Sequence, residues 1–418
     1  MEQEKIWDSI VIGGGAAGLV ASIAVASAGC EALVLECEES PGKKLLITGG
    51  GHCNLAHIKA TEKDFNSGNL RAVRNILSAF PVRKVKEFFR QIDVDLVRDA
   101  DGKIFPGTRR AATVVRALVS ECRRLGVGIE TSRPAERIKR NNGVFTISGS
   151  GFVRKARTLI VATGGLSYPH TGSRGDGYSF AESFGHSVVP VLPSLVPLTT
   201  RDPDWQKLAG VSIDVRLSLV DGGKVIAGSK GPLLFTHQGF SGPAAMDLSG
   251  IWLRMKEQKN ISIIADFIPG AGNEELLSRF ASGSERQPTA RVKKILAVFL
   301  PERFCEIFLK KSGIDPDKQV AHCSKKEREK ILAALRRFSL PVCGVLGYDK
   351  AEVTSGGVAL DELDPRTLGS KIVPGLFFAG EVLDVDGRIG GFNLHWAWAS
   401  GYVTGQAAAA RLKSGSVF

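Results

Sequence analysis

Residues 8–36, DSIVIGGGAAGLVASIAVASAGCEALVLE, constrain this chain more than any other stretch. Residues 9–12 form a short apolar run rich in branched side chains, which suits a buried strand. Gly13, Gly15 and Gly18 follow in the G-x-G-x-x-G spacing. The small apolar residues at 16–28 predict a helix packed tightly on a sheet, ended by Gly29. A second strand at 32–35 runs into Glu36. In such a unit Gly13 makes the tight turn, Gly15 lets the backbone approach a pyrophosphate, and Gly18 permits close helix–strand packing. The helix start offers free N–H groups and a positive dipole end to phosphates. Glu36 stands where an acid accepts hydrogen bonds from an adenosine ribose. Although residues 9–30 carry no charge, five glycines and the preceding Glu2, Glu4 and Asp8 speak against a membrane span or a signal peptide.

A chain of 418 residues exceeds one ordinary core, so two or three domains are expected. The seven cysteines (30, 37, 53, 122, 305, 323 and 343) form no C-x-x-C pair and no metal-ligand spacing. That scatter suggests reduced thiols in a cytoplasmic protein, and the unclustered histidines predict no structural metal. Net charge is +12 and uneven. Residues 71–140 hold 17 Lys/Arg against 8 Asp/Glu, and residues 285–340 hold 14 against 7. Both segments could face a polyanion such as RNA; the plainer reading is two solvated helical surfaces.

Beyond Glu36, Pro41-Gly42 marks a turn, and Lys43 and Lys44 fall within reach of phosphates. Glycines 49, 50 and 51 strip side chains from a second backbone segment just before His52, Cys53 and Asn54. Three consecutive glycines are costly in entropy and suit a flat ligand lying against the main chain. Helical periodicity spans 70–92, broken at Pro81, and returns at 111–125. Residues 94–105 read as a hairpin, 127–131, 135–140 and 143–148 as strands, and 157–162 as a further strand ending in Ala162-Thr163-Gly164-Gly165. Ligands of open sheets sit at the carboxyl ends of strands, so this glycine pair should touch a cofactor. Composition changes at Val188: residues 195–267 read as short strands with glycine turns, and 272–340 as charged helices. Nucleotide-type motifs return after Glu352, and the glycine pair 390–391 feeds a last small-residue helix.

Several motifs then coincide: GGGAAG with Glu36, GKKLLITGGGHCN, ATGGLSYPHTGSRGDGY, LLFTHQGFSGPA, VTSGGV and FFAGEVLDVDGRIGGFNLHWAWASG. Together they resemble the BaiN-like, aminoacetone-oxidase-like family of FAD-dependent flavoproteins over nearly the whole chain. The resemblance implies an α/β fold: a Rossmann-type FAD-binding domain at 1–190 and 351–418, a β-barrel-like substrate domain at 191–270 and 340–350, and a helical insert at 271–339. It implies that Gly13, Gly15, Ala16 and Gly18 hold the pyrophosphate, Glu36 the ribose, and Lys44 the ribose or phosphate. Gly50, Gly51, Cys53 and Asn54 would border the isoalloxazine, with the Ala135 backbone at the adenine. Ala162, Thr163 and Gly164 would pass near the dinucleotide, and Gly380 and Glu381 would bind the ribityl chain. Gly391, Phe392 and Asn393 would aim backbone N–H groups at the flavin pyrimidine edge. The family commonly has Arg where this chain has His52, which removes an anion contact there.

The activity so implied is oxidoreduction. The leading reading is reduction of an activated C=C bond with electrons from NADH or NADPH. The alternatives are a flavin-dependent amine oxidase and an RNA-binding flavoprotein that reduces uracil to dihydrouridine in ribosomal RNA. A reductase needs a proton donor beside the hydride acceptor. Cys53 and His237 lead that search, followed by Tyr168 and His170.

Overall fold

Strand β1 (Ile6–Ile12) lies at the centre of a mainly parallel sheet. On one side it pairs with β2 (Ala32–Leu35) and on the other with Phe152–Val161, with Ile10 opposite both Leu33 and Leu159. Gly128–Glu130 extends the sheet in parallel beyond β2, and Leu376–Phe378 adds a parallel strand beside Phe152–Val161. The hairpin Arg137–Asn141 and Val144–Gly149 attaches antiparallel to the lower part of Phe152–Val161. Ile10, Val11, Leu33 and Val34 are enclosed. Strands covered on both faces read as continuous apolar runs, which is why β1 and β2 are visible in the sequence.

In this computed structural model residues 5–256 and 260–414 are described. They fall into two units, Met1–Pro193 with Tyr348–Phe418, and Ser194–Gly347. In the first, helix α1 (Ala16–Ser27) packs against the long last helix, Phe392–Lys413. Their approach is set by small residues. A Cβ added at Gly401 would lie 2.3 Å from the Ala17 carbonyl oxygen, and one at Gly405 would lie 2.4 Å from that of Ala21. The helical stretch at 70–92 is two helices, Leu70–Ala79 and Val82–Gln91, with Pro81 capping the second. Lys43–Ile47 forms a short helix after left-handed Gly42, where the sequence suggested only a turn.

The second unit is organised by a seven-stranded antiparallel sheet. Its edge strands, Phe338–Leu340 and Gly344–Val345, are joined by three residues, so the sheet curls far enough to bring its ends together. The strands are not all short, as expected at 195–267: Ser212–Asp221 and Lys224–Thr236 make one long hairpin about Gly222-Gly223. Nor is that stretch purely β, because Pro243–Met255 is a helix with proline in its first turn. Its many buried small and apolar positions hid the helical period. Trp205 centres the core, 5.7 Å from the Phe235 ring, 6.0 Å from Phe304 and 5.3 Å from Phe338. The helices of the 271–339 stretch supply Phe304 and Phe308 to this same core.

Candidate dinucleotide site

At the end of β1 the Gly13 N–H donates to the Leu35 carbonyl at 2.8 Å, closing the turn against β2. Gly13 has φ +103°, and a Cβ there would stand 2.4 Å from the Ala162 oxygen. A Cβ at Gly18 would stand 1.9 Å from the Gly13 oxygen. At Gly15, the N-cap of α1, a Cβ would meet nothing within 4 Å. That cap has no side-chain hydrogen bond, so the first-turn N–H groups face open space with the positive end of the helix dipole behind them. Glu36 is buried and held on both oxygens. Oε2 accepts from the Gly14 N–H at 2.6 Å and Oε1 from the Glu38 N–H at 2.9 Å. Burial first, then the Glu36 and Glu38 charges, push the neighbouring Cys37 thiol up to about 12. Ser132 and Arg133 N–H groups bond to the Glu38 and Glu36 carbonyls, which brings the loop bearing Ala135 alongside β2's end.

The glycines at 49–51 form a tight turn with φ of +55°, +65° and +85°. A Cβ at Gly50 would touch nothing within 4 Å. Asn54 follows with a buried side-chain oxygen that has no hydrogen-bond partner among the described residues. Gly391, N-cap of the last helix, approaches so closely that a Cβ would lie 2.5 Å from that oxygen. The structure thus brings Asn54 and Gly391 together despite their separation in the chain. Asn393 spends its side chain on the loop, exchanging 2.7 Å hydrogen bonds in both directions with the Gly387 backbone, so only its N–H remains for a ligand. Phe392 is buried, stacked 5.2 Å from His57.

Around 162–167 lies a polar cluster. Thr163 Oγ1 is buried without a partner among the described residues. Lys44 Nζ bonds to Glu381 Oε2 and Ser167 Oγ, each at 2.5 Å. Glu381 Oε1 accepts from the Ser167 hydroxyl at 2.8 Å and the Thr354 N–H at 2.8 Å. Lys44 is therefore not a free cation waiting for phosphate; it is paired across 337 residues of chain. Ser167 and Thr354 escaped attention as individual residues, yet both stand in motifs already singled out, ATGGLSYP and VTSGGV. Gly380, with φ +81°, donates its N–H to Ser400 Oγ and accepts from the Trp396 indole, so the last helix fixes the Gly380–Val382 turn.

The proton-donor candidates fare differently. Cys53 has no exposed surface, and burial pushes its thiol up to about 12. A buried thiol whose pKa is raised so far is a weak acid, which counts against the expectation that Cys53 delivers a proton. The chain turns through φ +57° there and the Cys53 N–H bonds to Thr48, so the residue shapes the glycine loop. His237 belongs to the second unit, exposed at the tip between Lys224–Thr236 and Gly239–Ser241. Tyr168 is half-buried with φ +52°, and burial raises its phenol above the ordinary range. His170 is exposed in the adjacent turn. His52 is exposed, its Nδ1 3.0 Å from the Arg109 carbonyl oxygen. Among the described residues no group of His, Cys, Asp and Glu could hold a metal ion, and no helix is long and apolar enough to cross a membrane.

These features fit FAD. The open cradle before α1 suits a pyrophosphate, and Glu36 suits the adenosine ribose. The unpartnered Asn54 and Thr163 oxygens, with the uncapped start of the last helix, leave polar groups for the rest of the dinucleotide. The family model described as HI0933-like protein Rossmann domain matches residues 7–407. The 3-dehydro-bile acid delta(4,6)-reductase of Clostridium scindens is 34% identical over 404 residues, covering 96% of this chain and 98% of that protein. The ribosomal RNA dihydrouridine synthase of Escherichia coli is 32% identical over 403 residues, covering 96% and 97%. Among solved structures, 3-ketosteroid delta1-dehydrogenase from Sterolibacterium denitrificans shares the fold, with a TM-score of 0.52 at 11% identity, covering 97% of this chain and 99% of that one.

Proposed function

The chain belongs to the HI0933-like Rossmann-domain family and is an FAD-dependent oxidoreductase; on that premise we propose that it reduces a C=C bond conjugated to a carbonyl, with electrons drawn from NADH or NADPH. One observation carries this reading. Relatives that align over almost the whole chain have names describing reductions of different molecules, a bile acid and a uridine. What those reactions have in common is saturation of an electron-poor double bond, since dihydrouridine is uridine reduced at C5–C6. FAD, when bound, supplies the two-electron chemistry. The residues do the rest. The start of α1 and Gly15 hold the pyrophosphate, Glu36 orients the adenosine end, and the N–H groups at the start of Phe392–Lys413 stabilise negative charge beside them. The proton-donor candidates are then His237, Tyr168 and His170.

The test is anaerobic. The purified yellow protein is reduced with NADH or NADPH and mixed with a 3-oxo-Δ4 steroid acid. Flavin reoxidation with loss of the enone absorbance is expected. Peroxide formation from small amines in air, with no reoxidation by any enone, would replace this reading with the oxidase.

A second reading is favoured by charge. Among the described residues only five of the 17 cations in 71–140 are in ion pairs with acids (Arg83, Lys103, Arg109, Arg124 and Arg133). In 285–340 at least seven of 14 are so paired. The first segment is therefore the better candidate for an RNA backbone. Retention of ribosomal RNA that falls steeply with salt, and weakens when cations of 71–140 are reversed, would support it.

A further inference from the structure

We propose that Tyr178 is a positioning residue of the cofactor pocket, donating its phenolic hydrogen to the bound dinucleotide. The proposal rests on the FAD reading above. Tyr178 is 8% exposed, on the helix Asp176–Ser183, and its hydroxyl is buried with no partner among the described residues. Buried hydroxyls are almost always bonded, so an orphan marks a place where a ligand or ordered water belongs. Thr163 Oγ1 and Asn54 Oδ1 are in the same condition, and both border the dinucleotide site. Tyr178 is tied to that site through its neighbour: a Cβ at Gly177 would lie 2.2 Å from Thr163 Oγ1. Its helix thus begins against the strand end where the cofactor passes.

One nearby protein acceptor is already engaged. Glu381 and Tyr348 lie close enough to act on the Tyr178 phenol electrostatically. The Glu381 carboxylate already accepts from Ser167, Thr354 and Lys44. Burial foremost, then Glu381 and Tyr348, raise the phenol far above its ordinary range, so it stays a donor at every working pH. Ribityl hydroxyls and phosphate oxygens are acceptors of the kind it lacks. The other orphans lie elsewhere: Ser9 within β1, Arg140 over the Phe145 ring on the outer hairpin, and His395 Nδ1 on a ring whose Nε2 bonds to Phe80.

The experiment is Tyr178→Phe, with two readouts on flavin-stripped protein: FAD titration by fluorescence quenching, and the apoprotein melt. A donor to the cofactor gives a Kd for FAD about tenfold higher, the usual scale for one buried hydrogen bond. The apoprotein should be no less stable than wild type, because the variant removes an unsatisfied buried hydroxyl. An unchanged Kd overturns the proposal. So does a less stable or unfolded apoprotein, which would mean the hydroxyl already has a structural partner. Failure of wild type itself to bind FAD would instead overturn the cofactor reading.

Discussion

Two glycines three residues apart make opposite predictions. Gly15 faces open space with an ordinary backbone conformation, whereas a Cβ on Gly18 would strike the Gly13 oxygen. Gly15→Val should therefore melt like wild-type apoprotein but purify colourless, its side chain standing where the pyrophosphate goes. Gly18→Ala should lower stability by about 1–3 kcal/mol or more, as overpacking does, seen in denaturant titration with or without FAD. His237→Ala tests the first of the proton-donor candidates: if it is the donor, stopped-flow reoxidation by substrate should slow about 10²-fold at unchanged flavin content. Equal rates would remove His237 from the reaction. Gly13, Gly18 and Glu36 were legible because each answers a local steric or hydrogen-bonding demand. The enclosure of Cys53 and the pairing of Lys44 with Glu381 were not, since partners 337 residues apart leave no trace in spacing.

At the scale of elements, the pair of α1 and Phe392–Lys413 carries the site. The start of one faces the pyrophosphate cradle, the start of the other adjoins Asn54, and Gly401 and Gly405 let them touch. Gly405→Val would force them apart at the Ala21 carbonyl. A lower apoprotein melting temperature and weaker FAD binding should appear together, measured by calorimetry and flavin titration, although residue 405 is four turns from the helix start. Periodicity found most of the first unit's elements because its strands are continuously apolar and its surface helices amphipathic. It failed at Pro243–Met255, where apolar residues surround the helix and the polar face is too narrow to show.

For the molecule as a whole, acid and alkali should act through different groups. Burial pushes Cys53 and Cys305 up to about 12 and Cys122 to about 11, against 9.0 for a free thiol. Their folded values are raised, so the unfolded chain ionises first. Stability is complete below pH 9 and is lost as pH climbs from there toward 12. The melting temperature should fall steadily between pH 9 and 11, and replacing Cys305 with Ala should flatten that slope. On the acid side Lys318 holds Glu327, and Lys207 with Lys311 hold Asp204, down to about 2. Those contributions are present above pH 4.5 and vanish toward pH 2, and both groups belong to Ser194–Gly347. Composition foretold neither edge, because both arise from where thiols and ion pairs fall in the folded chain.

The pairing of the first helix with the last also has a consequence in time. A ribosome completes β1, α1 and β2 within the first 36 residues, but Leu376–Phe378 and Phe392–Lys413 emerge some 340 residues later. At about 5–20 residues per second the nascent glycine turn waits roughly 17–70 s for the surface that α1 packs on. Chains truncated before Phe392 should keep the phosphate-binding fingerprint and lose flavin retention. Flavin colour should therefore require the segment through Lys413 and not the fingerprint alone.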